Sequence, residues 1–175
     1  TITGKWNDKE YTNAIIEITG ANNGLLIWGD TRFENLTFKQ TGNNDYAILY
    51  CQYNNLEMGK NIKMEKFQQT PGYGGINGAT VTSFQIFGGI CNDGRFWPLN
   101  TKDNIKAMEN AMPHGKEGFS ITLKSGHYST ICVGGRQSNS GNHNGVMGTP
   151  NMPIKCTVTM DIDREYNEAH NANVA

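Results

Sequence analysis

The chain has 175 residues, enough for one domain with a sizeable core. Its net charge is −1 and only 18 % of its residues are charged, so its polarity comes from Asn, Thr, Ser, Gln and Gly, as in many extracellular β proteins. Without a basic cluster no nucleic acid is expected as a partner, and the longest apolar runs, 13–18 and 24–28, are too short for a membrane-spanning helix.

In chain order the candidate strands are 1–6, 12–19, 24–28, 36–40, 46–53, 62–67 and 80–87, followed by 119–124, 127–133 and 154–162. The last has the clearest pattern. Ile154, Cys156, Val158, Met160 and Ile162 alternate with Lys155, Thr157, Thr159 and Asp161, which reads as one buried and one wet face. Asn22-Asn23-Gly24, the 42–45 run, Asn54-Asn55, Asn92-Asp93-Gly94 and Ser125-Gly126 supply turn chemistry between the runs. One segment reads as a helix near 102–112, with Asn100 or Thr101 as cap, Ile105, Met108 and Met112 on one face, and Pro113 and Gly115 as the stop. The expected fold is all-β, an antiparallel β-sandwich or barrel-like fold of about ten short strands with that one helix. No fixed-length repeat and no linker divides the chain, so 1–175 is expected to be a single domain, with 164–175 an extended or frayed tail.

Four cysteines, Cys51, Cys91, Cys132 and Cys156, are widely spaced and form no CxxC. This pattern suggests two long-range disulfides and a secreted or cell-surface setting. Four cysteines allow three pairings; Cys51–Cys91 with Cys132–Cys156 is preferred, because the second bridge would bracket the polar segment between them. The chain starts at Thr1 without a Met, as expected for mature numbering after signal cleavage or for a trimmed domain. His114, His127, His143 and His170 are scattered, with no HExxH, and neither a metal nor a cofactor is expected.

Three constellations carry recognition chemistry. In the first, Trp28 ends an apolar run and Gly29, Asp30 and Thr31 turn away from it. An aromatic plane beside oxygen-bearing side chains is what a sugar needs for stacking and hydrogen bonding. The second is Asn92, Asp93 and Trp97 after Cys91; the third is Arg136, Asn139, Asn142, His143 and Asn144 in the long 134–153 loop. Each has a plainer reading, as a core Trp with an ordinary turn, an inward-packed Phe96-Trp97 pair, or a loop without a ligand.

The string Gly24-Leu25-Leu26-Ile27-Trp28-Gly29-Asp30-Thr31 resembles a segment of the N-acetylglucosamine-binding lectin domains of bacterial fimbrial tip adhesins. The resemblance covers those eight residues and the chain's general character. It implies a β-sandwich that binds a glycan or host-cell receptor without catalysis, with other pilus or fibre subunits as further partners. The function expected is therefore an extracellular glycan- or receptor-binding adhesin domain. A structural pilus subunit or a phage or viral fibre head is the alternative, and a secreted glycan hydrolase built on two converging carboxylates the third.

Overall fold

The computed structural model of the chain describes residues 1–11, 14–18, 24–40, 47–65, 84–89, 101–128, 130–134, 149 and 151–162. The strands are short. They are β1 (Ile2–Thr3), β2 (Lys5–Trp6), β3 (Lys9–Glu10), β4 (Ile15–Ile18), β5 (Leu25–Leu26), β6 (Thr31–Glu34), β7 (Leu36–Gln40), β8 (Ala47–Tyr50), β9 (Leu56–Met58), β10 (Ile62–Glu65), β11 (Phe84–Phe87), β12 (Phe119–Leu123), β13 (Thr130–Cys132) and β14 (Cys156–Met160). Among the described residues one α-helix, α1 (Lys102–Ala111), lies between β11 and β12, and a 3₁₀ turn follows it at Gly115–Glu117.

The pairing overturns the antiparallel sandwich or barrel. Sheet I runs β1-β6-β9-β12-β14, sheet II β4-β7-β10, and sheet III β5-β8-β11-β13. Every pair within these three sheets is parallel. The one antiparallel pair among the described residues is the small β2–β3 hairpin, whose turn residues Asn7 and Asp8 have φ of 48° and 61°, as a tight hairpin turn requires. Parallel neighbours usually need a helical crossover. Here the chain between neighbours passes instead through the other sheets, in the order I, II, III from β1 to β12, and then, among the described residues, from sheet I through III back to I over β12, β13 and β14. Each circuit returns one strand spacing higher, about 4.8 Å. This is a three-sided parallel β-helix, a solenoid whose rungs stack on one another.

The sandwich expectation failed for a definable reason. Alternation reports which face of a strand is buried and says nothing of its partner's direction. The Asn54-Asn55 turn signal, for its part, lies where the chain passes from sheet III to sheet I and joins no antiparallel pair. Asn35 and Asn61, with φ of 53° and 58°, stand where the chain bends from sheet I to sheet II and do not reverse it. They lie above one another, and Asn61 Nδ2 donates to Asn35 Oδ1 at 2.8 Å. Gly4 occupies the same corner one rung earlier, where any side chain would overlap the Asn35 carbonyl oxygen.

Burial follows the stack. The inward row of sheet I is Ile2, Phe33, Met58, Leu123 and Met160. Its members are 48 %, 1 %, 0 %, 0 % and 58 % exposed, so only the end rungs meet solvent. Phe33, Phe38, Phe84 and Tyr128 form an edge-to-face chain through the middle of the core, with centroids 5.3, 5.1 and 6.0 Å apart. Each fully buried large apolar side chain contributes roughly 1.5–3 kcal/mol. The helix is joined to this core through Met108 and Met112. Thr101 caps it, its Oγ1 accepting from the Asn104 backbone N–H at 3.2 Å.

The cysteine expectation is corrected as well. Cys51, Cys132 and Cys156 are free thiols, and Cys91 lies outside the described residues. Cys132 belongs to the row Leu26, Tyr50, Phe87 and Cys132 on one face of sheet III, while Cys156 packs with Cys51 against the main core. The proposed Cys132–Cys156 partners thus stand in different sheets and different apolar clusters. The 164–175 segment also lies outside the described residues. No helix among the described residues is long and apolar enough to cross a membrane.

Candidate functional site

The corner between sheet III and sheet I is the one where successive rungs differ most in length. The connection is short in one rung (27–30), slightly longer in the next (51–55), and then expands to 88–118, with α1, and to 133–155. Insertions confined to one edge of a solenoid commonly build its binding surface. All three constellations singled out in the sequence belong, by chain order, to these connections.

Parallel stacking places Asp30, Asn55, Ser120 and Thr157 in one row, each immediately before or at the start of a strand of sheet I. A continuous polar network joins the first three of these residues and His114. The Asn55 backbone N–H donates to Asp30 Oδ1 at 2.9 Å, and Asn55 Nδ2 donates to Asp30 Oδ2 at 2.9 Å. The amide is oriented from its other end, where Ser120 donates to Asn55 Oδ1 through its backbone N–H at 2.8 Å and its hydroxyl at 3.0 Å. His114 arrives from the end of the α1 connection, and its Nε2 lies 2.7 Å from Asp30 Oδ1.

These distances fix the tautomer. An ionised carboxylate only accepts, so Nε2 carries the proton and donates to Asp30. The 3.1 Å approach of Asn55 Nδ2 to His114 Nε2 is then the meeting of two donors on one acceptor group, not a bond between them. Burial alone would raise the Asp30 carboxyl, but the bond from the Asn55 backbone, helped by His114 and the Asn55 side chain, outweighs it. The carboxyl is held below the ordinary value of 3.8.

Trp28 stands on the same turn as Asp30 and is 75 % exposed. The core reading for this residue is excluded. Ile27, just before it, takes the buried position, and its N–H donates to the Tyr50 carbonyl at 3.1 Å. Thr31 closes the turn, its hydroxyl donating to the Gly29 carbonyl at 2.8 Å, and so serves geometry more than recognition. Asn54, buried beneath, donates to the carbonyls of Ile27, Cys51 and Gln52 and ties two rungs of the corner together.

Of the expected site residues, the structure therefore presents Trp28 and Asp30 as exposed residues of one turn. Asn92, Asp93, Trp97, Arg136, Asn139, Asn142, His143 and Asn144 lie outside the described residues. Sequence reasoning missed Asn55, His114 and Ser120. Asn55 was seen only as a turn residue, and His114 lies 84 residues from Asp30 along the chain, so no local pattern could link them. No group of three or more His, Cys, Asp or Glu that could hold a metal ion occurs among the described residues. No protein-family model matches the chain, and no curated protein and no solved structure is significantly similar to it.

Proposed function

We propose that the corner between sheets III and I is a glycan-binding surface that recognises its ligand without catalysis. The observation that carries this reading is Trp28, a large aromatic ring left three-quarters exposed on the same turn as a carboxylate whose position is set by donors from Asn55 and His114. Leaving an indole in water forgoes burial energy that a core position would supply, about 1.5–3 kcal/mol for a large apolar side chain. Stacking on the C–H face of a sugar ring recovers it, and Asp30 supplies an oriented acceptor for a hydroxyl. Because Asp30, Asn55 and Ser120 sit on stacked backbone, the acceptor is preorganised and binding orders little.

The described residues offer no support for the hydrolase alternative. Asp30 meets a histidine and an amide where a glycosidase would pair it with a second carboxylate. The free thiols likewise remove the disulfide argument for an oxidising setting, so the proposal rests on the site alone.

The test is a glycan array probed with the wild-type protein and with Trp28→Ala. The wild type is expected to bind a restricted set of glycans. The variant, whose ring packs into no core, should keep the wild-type melting temperature and lose at least about tenfold in affinity. An array on which the folded protein binds nothing would remove this reading.

A further inference from the structure

We propose that this corner selects saccharides carrying a free ammonium group, as on an amino sugar without its acetyl, and that Asp30 is the residue that selects them. The inference rests on the glycan reading above and narrows its ligand class.

It starts from a count of acceptor positions. An ionised carboxylate offers roughly four lone-pair sites. Asp30 Oδ1 accepts from the Asn55 backbone and from His114, and Oδ2 accepts from the Asn55 side chain. One site, on Oδ2, is left over. The Asp30 side chain is 52 % exposed, so that remaining site is open to a ligand.

Charge narrows the choice of donor. Among the described residues the one ionic partner of Asp30 is His114, whose Nε2 lies 2.7 Å from Oδ1. The cations on the neighbouring strands are engaged elsewhere. Arg32 lies 2.6 Å from Glu34 and 3.8 Å from Glu57, and Lys124 lies 2.7 Å from Glu57. Asp30 therefore offers an ionised carboxylate with one open acceptor position two residues from an exposed indole. An ammonium suits that pair better than a hydroxyl does. It donates a charge-assisted hydrogen bond, about twice as strong as a neutral one, and is attracted to the face of the Trp28 ring. An acetamido group at the same position carries no charge and forfeits both terms.

The experiment is isothermal titration of the folded chain near neutral pH with glucosamine oligosaccharides and, separately, with the same oligosaccharides fully N-acetylated. The free amines are expected to bind at least about tenfold more tightly, and added salt should erode that advantage while leaving the acetylated series unchanged. Asp30→Asn should bring the amines down to the acetylated level, and the salt series on the wild type gives an independent reading should that variant misfold. Equal binding of the two series, abolished by Trp28→Ala, would overturn ammonium selection and leave the glycan reading standing. Binding of neither series, with other glycans bound on the array, would also overturn the selection alone.

Discussion

Asp30 shows how a surface carboxylate becomes a fixed element of the fold. Its three donors come from two residues later in the chain, Asn55 and His114, so protonating it loosens the contacts between its own turn and both of them. Because the folded carboxyl titrates below the ordinary 3.8, its stabilising contribution is complete above that value and is lost as pH falls through the lowered folded value. The melting temperature of the wild type should therefore exceed that of Asp30→Asn by a constant margin above about pH 5, and the margin should shrink below about pH 4. A margin that stays level down to the acid transition would show that the network does not favour the ionised form. The thiols provide a second check at this scale. Burial pushes the Cys51 thiol far up, with the nearby Cys156 adding to it, and burial pushes Cys156 up to about 11. Since the thiolate is the reactive form, Cys51 should resist alkylation in the folded protein and react only with denaturant present. Peptide mapping that finds Cys51 modified as fast as an exposed thiol would contradict its place in the core.

At the scale of elements, the helix is the feature sequence reasoning located best. Thr101, Asp103, Met108, Met112 and Pro113 act locally, and a capped amphipathic helix needs nothing from distant chain to be recognised. Thr101→Ala should cost about 1 kcal/mol, read as a shift in denaturation midpoint, because the Asn104 N–H loses its acceptor. The strands were legible in part. β7, β12 and β14 carry visible alternation, whereas β6 and β9 were passed over. Those two are only four and three residues long, and Arg32, Glu34 and Glu57 fill their outer face with charge. Their inward residues, Phe33, Leu56 and Met58, are among the most buried in the protein, yet a single alternation is too little signal to read. The rung repeat was hidden for a related reason. Thr31 stacks on Leu56 and Leu56 on Ile121, so the interval between equivalent residues changes from rung to rung. The site was half legible, since Trp28 and Asp30 share one turn, while Asn55, His114 and Ser120 join them only through stacking.

For the whole molecule, a solenoid in which each rung touches mainly its neighbours implies graded stability. Leu49, Met58 and Ile86 in the middle rungs are fully buried, whereas Val158 and Met160 on β14 are 37 % and 58 % exposed. Amide hydrogen exchange should accordingly be slowest in β8, β9 and β11 and faster in β14, which pairs with β12 along one edge. Uniform protection across all rungs would indicate that the stack opens as one unit. The corner between sheets III and I has a consequence of a different kind. The ends of any connection there are held by strands already fixed in the stack, however many residues lie between them. A doubling of such a loop costs only about 0.6 kcal/mol in closure entropy. The scaffold can thus acquire new loop sequence at this edge with little loss of stability. Foreign peptides grafted between Gly134 and Thr149 should be displayed without unfolding the rungs below, which makes the corner a place where recognition can be rewritten while the architecture stays constant.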